Sequence, residues 1–386
     1  MVGETEIVDR VRHRPILAGI ALLRSLGSPV RHDWEVMSDV LRVDPLEITR
    51  RVTEILVDRG VPRSEASEQV QVWIEADLRE HPSHGVQRLF TMLGRLDNGR
   101  VNCAARPSFT WTAPSVLVVD GDDGLGPPVA IDLVTRLMEG ARAQGIVIGL
   151  VRRAHHLGML APYVERMAAD GFVGIAMCTS EALVHPWGGS KALVGTNPLA
   201  IAVPVAGFPP VSLDMSTGAT SRGQILHHAM TGEPLVDGWA VDSDGRPTTD
   251  ASAALGGAIS PFGGPKGYAL GVTLEVLIAA LTGTAFGQSV TGTLDESEPV
   301  TKGDVFLCID PGNIAGVTMG TELAEYIQQV RSSETAEGAS RIYIPGERAH
   351  EARQRNLLEG VPIAPELWER ILRSCGSEGA TEWRPS

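Results

Sequence analysis

RRAHHLGMLAPYVERMAADGFVGIAMCTS, Arg152 to Ser180, is the stretch whose reading decides the fold. An apolar run, Ile146 to Val151, leads into it and reads as a buried strand. His155 and His156 follow almost at once, then Leu157 and Gly158, then an amphipathic segment ending at Gly171. A second apolar run, Val173 to Cys178, reads as the next strand. Strand, helix, strand is the signature of an α/β chain. Two imidazoles at the carboxyl end of a strand stand where open α/β sheets place ligands. Histidine also carries protons near neutral pH. A pair of loop histidines without chemistry is the plainer reading, and the remainder of the chain decides between them.

Working outward, a helix is expected over about Pro128 to Ala143, preceded by a strand at Ser115 to Val119. The turn Asp120-Gly121-Asp122-Asp123-Gly124 between them is no phosphate loop, because it lacks GxGxxG spacing and three aspartates repel a pyrophosphate. Upstream, Asp44-Pro45-Leu46-Glu47 is a helix start with an N-cap and a first-turn proline, and Glu47 completes a capping box. The helix runs to Gly60, and Ser64 caps another that reaches about Leu78. A polar loop from Arg79 to Arg88 then feeds an amphipathic run to Leu96. Residues up to about Val43 form a helical preface, with Ile16, Ile20, Leu22 and Leu23 on one face. Downstream, Leu199 to Val203 and Val211 to Leu213 read as strands, and GWAVDSDGRPTTD, Gly238 to Asp250, as a surface loop. Phe262 to Tyr268 opens an apolar helix ending near Gly283, inside which Glu275 needs a partner if buried. Asp304 to Ile309 is a strand, Thr321 to Val330 a helix, and charged helices close the chain near Ser374. The last dozen residues read as a disordered tail.

Composition excludes partners more sharply than it names them. With 386 residues, 43% of them hydrophobic, the chain can bury one large core or two joined ones. A net charge of −14 argues against nucleic acid, which requires clustered Lys and Arg, and against anionic membranes. The apolar patch from Pro15 to Leu26 is short and interrupted by Arg24, so it reads neither as a signal peptide nor as a span. Cys103, Cys178, Cys308 and Cys375 show no CxxC spacing. They fit reduced thiols in a cytoplasmic protein, and they argue against a zinc alcohol dehydrogenase.

Seven short motifs then occur in order: RxxxSHGVxR at Arg79 to Arg88, HLG at His156, GTNPLAIAVP at Gly195, LDMST at Leu213, GWAVDxDGxPTTD at Gly238, GPKGY at Gly264 and PGE at Pro345. Together they resemble the malate/L-lactate dehydrogenase family that lacks a Rossmann fold, over roughly Leu46 to Leu372. The resemblance implies a mixed-sheet α/β enzyme, generally a homodimer, that uses NAD or NADP to interconvert small 2-oxo and 2-hydroxy acids or to reduce cyclic 2-imino acids. It implies an extension over 1–45, a catalytic region over 46–374 with its cofactor core at about 111–270, and a tail at 375–386.

The resemblance also assigns roles. Hydride delivered to a carbonyl carbon leaves an alkoxide that needs a proton donor with a suitable pKa. His156 matches the proton-handling histidine of ureidoglycolate dehydrogenase-like members, and is favoured for that role. Ser83 and His84 match the serine–histidine pair of the piperideine-2-carboxylate reductase branch. Arg88 matches the arginine on the substrate side, where a planar bidentate donor suits a carboxylate. Thr196 and Asn197 can bind substrate or hold the turn that Pro198 begins. Ser180, Asp214, Met215 and Ser216 line the nicotinamide cofactor, Lys266 reaches its ribose or phosphate, and Gly346, Glu347 and Arg348 meet its adenosine end. Glu347 favours ribose hydroxyls, hence NAD, whereas Arg348 accommodates the 2′-phosphate of NADP. Three positions depart from the family pattern: Ala154, Pro82 and Gln224, the last where the imine-reducing branch has a relay aspartate. Reduction of a 2-oxo acid is therefore the first expectation and imine reduction the second. A catalytically silent dinucleotide-binding protein is the third.

Overall fold

The computed structural model describes residues 40–315 and 320–375. The first helix starts at the proline the sequence marks. Asp44 accepts the Leu46 N–H at 2.8 Å and caps α1 (Pro45–Asp58). Glu47 reaches forward to Arg50 and Arg51. Because Asp44 precedes a proline it is pushed to extended angles, and Leu41–Val43 before it are extended by pairing. Leu41–Val43 is thus a strand, β1, antiparallel to β14 (Val361–Ile363), which corrects the helical reading of those residues. The preface helices expected over 1–39, like the tail beyond 375, lie outside the described residues.

α2 (Arg63–Leu78) begins on Pro62, so Ser64 sits inside the helix rather than capping it. Two single 3₁₀ turns, Pro82–His84 and Val86–Arg88, join it to α3 (Leu89–Asp97). These helices, with α11 (Glu347–Glu359) and α12 (Pro365–Ser374), enclose one apolar cluster around Trp73, Leu78 and Leu89.

A seven-stranded mixed sheet forms the centre. It contains β2 (Ser108–Ala113), β3 (Val116–Gly124), β4 (Ile146–Ala154), β13 (Gly303–Ile309), β5 (Val173–Cys178), β8 (Leu199–Val203) and β9 (Val211–Met215), in that spatial order. β3 and β4 pair in parallel, and every other neighbouring pair is antiparallel. Successive residues serve opposite faces. Val147, Val151, Ala176, Phe306 and Cys308 pack with α4 (Gly126–Gln144) and α5 (Ala161–Ala169). Ile148, Leu150, Ile175, Met177, Val305 and Leu307 pack with α8 (Pro265–Thr282). Helices on both faces explain why these strands read as unbroken apolar runs.

β3 is longer than expected. Asp122 and Asp123 adopt φ of 52° and 55°, the register shifts there, and pairing resumes at Gly124 opposite Ala154. The aspartates therefore form a bulged strand end, not a free turn, and they hold Arg153. A smaller five-stranded sheet, β11-β10-β12-β6-β7, lies beyond the centre. Its strands are β6 (Ala182–Val184), β7 (Val194–Gly195), β10 (Ala240–Val241), β11 (Pro247–Thr248) and β12 (Ala258–Ile259). The expected loop at Gly238 thus contains a short hairpin. α6 (Arg222–Thr231) and α7 (Ala251–Leu255) pack on this sheet. α9 (Pro311–Ala315) and α10 (Thr321–Arg331) complete the elements.

Phe306 is fully buried in the central strand. Its replacement by alanine is expected to cost about 3–5 kcal/mol, read as a lowered unfolding free energy in a denaturant titration.

Candidate active site

The two candidate histidines, distant in sequence, are brought together. Ring centroids of His84 and His156 lie 5.4 Å apart with planes inclined by 28°. Both residues are half-buried. Ser83 Oγ lies 2.9 Å from His84 Nδ1. Arg88 folds back over the same loop, its Nε donating to Ser83 O at 2.8 Å and its Nη1 to Thr293 O at 3.1 Å. The helical spacing expected between His84 and Arg88 is broken at Gly85, so it is two tight turns, not one helix face, that juxtapose them.

The histidines differ in what their nitrogens can do. Gly158 N–H donates to His156 Nδ1 at 3.2 Å. An acceptor at Nδ1 places the proton of the neutral ring on Nε2. Gly158 serves this contact with φ +77°, and any Cβ there would stand 2.5 Å from Val72 Cγ1, which accounts for the glycine of HLG. His84 is freer, because its Nδ1 faces a hydroxyl that can donate or accept. Burial, then the Arg88 charge, pushes His84 down to about 3 and holds His156 well below the ordinary histidine value. His155 is used structurally: Arg95 Nε donates to its Nδ1 at 3.3 Å, and its Nε2 lies 2.9 Å from Arg100 O.

Of the residues the resemblance assigns to the cofactor, Asp214 and Met215 lie on the edge strand β9 and Gly346 against it, whereas Ser180 follows β5 and Lys266 starts α8. Ser212 N–H donates to Pro345 O, and Gly346 (φ +93°) packs on Ser212. Asp214, Met215 and Ser216 lie farther along the strand, about 13 Å covering 212 to 216 at 3.3 Å per residue. Asp214 Oδ2 accepts Leu160 and Ala161 N–H at 2.8 and 2.7 Å, holding the start of α5 just beyond His156. Ser180 Oγ lies 2.9 Å from Thr196 Oγ1 and accepts the Thr196 and Asn197 N–H groups. Asn197 is fully buried at φ +29°, donates to Gly271 O and Glu275, and accepts Ser180 N–H. It holds the turn, whereas Thr196 keeps an accessible face. Glu275 finds the partners its burial requires in Asn197 and in Gly195 and Gly287 N–H. Lys266 is exposed in the first turn of α8, after Gly263 and Gly264. Glu347 accepts Ile344 N–H and pairs with Arg331, while Arg348 is exposed.

Three groups escape the motifs. Glu181, directly after Ser180, accepts Thr293 and Leu294 N–H and so places the carbonyl that receives Arg88. Lys302 and Asp304, 2% and 0% exposed, pair at 2.6 Å at the start of β13. Their i,i+2 spacing beside an apolar strand puts both on one face, a signal available in the sequence. Asp77 accepts Val86 N–H at 2.8 Å.

The sequence model of the malate/L-lactate dehydrogenase family matches residues 43–372. The chain belongs to that family. As a malate/L-lactate dehydrogenase family member it is a nicotinamide-dependent dehydrogenase or reductase. It is 34% identical to the L-sulfolactate dehydrogenase of Methanothermobacter thermautotrophicus, over 86% of this chain and 96% of that one. It is 35% identical to a Delta(1)-pyrroline-2-carboxylate reductase of Pseudomonas fluorescens, over 87% and 99%. A dehydrogenase structure from Sinorhizobium meliloti superposes with a TM-score of 0.83 at 43% identity, covering 87% of this family member and 98% of that chain.

A histidine depressed on folding destabilises the native state in acid, because only the unfolded chain takes up the proton. His84 therefore contributes full stability above about pH 6.5 and loses it progressively towards about 3. Relative to wild type, His84→Gln is expected to gain about 1.4 kcal/mol per pH unit across pH 6 to 4. Denaturant titrations of both proteins at each pH check the slope.

Proposed function

We propose that the protein transfers a hydride between a nicotinamide cofactor and C2 of a small 2-oxo/2-hydroxy acid. The observation that supports this reading is the stacked His84–His156 pair beside the half-buried Arg88. Arg88 has guanidinium N–H groups beyond the two that reach carbonyls, and it takes the substrate carboxylate. His156, held neutral with its proton on Nε2, donates a hydrogen bond to the C2 oxygen. His84 moves the proton, although His156 was the favoured residue on sequence grounds. With Nδ1–H donated to Ser83, the free Nε2 of His84 accepts a hydroxyl proton in the oxidative direction. In reduction, a carboxylate bound at Arg88 offsets the part of the His84 depression that its charge adds to burial, and the ring, once protonated, passes its proton to the alkoxide.

The bound cofactor supplies or receives the hydride. Ser180, Asp214, Met215, Ser216, Lys266, Gly346, Glu347 and Arg348 hold it. Asp214 does so by fixing the start of α5, and Met215 by side-chain packing. Glu347 is paired with Arg331, so it cannot by itself exclude a 2′-phosphate, and both NAD and NADP are accepted. Imine reduction is the second reading, favoured by the intact Ser83–His84 contact. Against it, Gln224 is exposed on α6 where that branch has an aspartate.

Turnover of NADH and NADPH is to be measured with 2-oxo acids, the same acids plus methylamine, and piperideine-2-carboxylate. Oxo acids alone are expected to react, with the two cofactors within about tenfold of each other. Arg88→Gln should lose about 2–5 kcal/mol, roughly 30-fold or more in kcat/KM. Turnover confined to the imine or the amine-supplemented acids would transfer the proposal to C=N reduction.

The catalytic region of this reading is 46–374, with its cofactor core at 111–270, in a cytoplasmic setting. Among the described residues no helix is long and apolar enough to cross a membrane. The outer face of α8 exposes Val276, Leu277 and Leu281, with Phe286 beside them. A second copy of the chain covers this face in a homodimer. Leu277→Glu is expected to halve the mass measured by light scattering.

A further inference from the structure

The Ser83–Arg88 loop rests on a residue outside every motif, Asp77, next to last in α2. Its side chain is poorly placed for stability. It is 6% exposed and buried at the end of its helix, where burial and the macrodipole both disfavour its charged form. Against those costs stands one contact, the 2.8 Å hydrogen bond accepted from Val86 N–H.

That contact falls at a mechanical hinge. Gly85 N–H donates to Pro82 O and closes the first 3₁₀ turn, which carries Ser83 and His84. Arg88 N–H donates to Gly85 O and closes the second, which carries Arg88. Val86 N–H opens the second turn and has no partner within it. Gly85 lies directly on the carboxyl, where a Cβ would meet Asp77 Oδ1 at 1.8 Å. Its φ of −91° suits any residue, so the glycine serves close approach and not handedness. Arg88 Nε also spans the hinge to Ser83 O, so the two turns keep their spacing only while the hinge is held.

We infer that Asp77 is a positioning residue whose carboxyl clamps the hinge between the two turns. It thereby sets the distance from His84, the proton carrier, to Arg88, the carboxylate anchor. The inference rests on the proposed function for what those groups do, but the clamp itself is a separate claim. Burial raises the Asp77 carboxyl to about 8, so the clamp acts largely as a neutral acid at pH 7, and an amide oxygen can replace it.

The full-length protein is to be compared with Asp77→Ala, Asp77→Asn and Gly85→Ala. Measured quantities are kcat, KM for the acid, the cofactor Kd and amide hydrogen exchange over residues 82–88. Asp77→Ala is expected to speed exchange at Val86 by 100-fold or more while α2 and α3 keep their protection. It should lower kcat and raise KM together, with kcat/KM down at least 30-fold and cofactor Kd within twofold. Asp77→Asn should recover most of both losses, and Gly85→Ala, which displaces the carboxyl, should reproduce Asp77→Ala even if the latter folds poorly. Unchanged Val86 exchange in Asp77→Ala overturns the clamp. So does faster exchange with unchanged kcat and KM, or an Asp77→Asn as damaged as Asp77→Ala. A wild type inactive on every oxo and imino acid would overturn the proposed function instead, and the exchange measurements would still decide the clamp.

Discussion

A guanidinium set beside two uncharged imidazoles is the constraint on which this site depends. Arg88 keeps its proton. Burial first, and the Arg88 charge second, hold His84 and His156 neutral, so the positive charge of this loop stays on Arg88.

Much of the surrounding structure serves to hold that corner. Asp77 secures the hinge beneath His84, and Glu181 secures the Thr293 carbonyl that receives Arg88. Gly158 N–H orients His156, and Asp214 ties the following helix start to β9. On the far side, Glu275 collects three donors and fixes the Thr196–Asn197 turn. The antiparallel β8–β9 pair ends at that turn, and Pro345 and Gly346 lie against Ser212 of the edge strand.

Most of the fold was legible along the chain. The runs at Ile146, Val173, Leu199 and Asp304 became strands, and the proline and glycine signals bounded α1 and α8. The failures have local causes. Leu41–Val43 are extended rather than helical because they pair with Val361–Ile363, and Asp44 because a proline disfavours helical angles in its predecessor. The aspartates after Asp120 continue a strand through a bulge, because positive φ angles and Arg153 absorb them.

By itself the sequence determined the family, the histidine, serine and arginine types that the chemistry needs, and the two-faced burial of the central strands. Those follow from residue identity and short-range periodicity. Only the tertiary structure decided that His84 and His156 stack, that Asn197 points inward, and that Glu347 is paired with Arg331. It likewise exposed the roles of Asp77, Glu181 and the Lys302–Asp304 pair. Partners far apart in the chain meet only when the sheet and its helices close, and the charge state of a buried group depends on what meets it there.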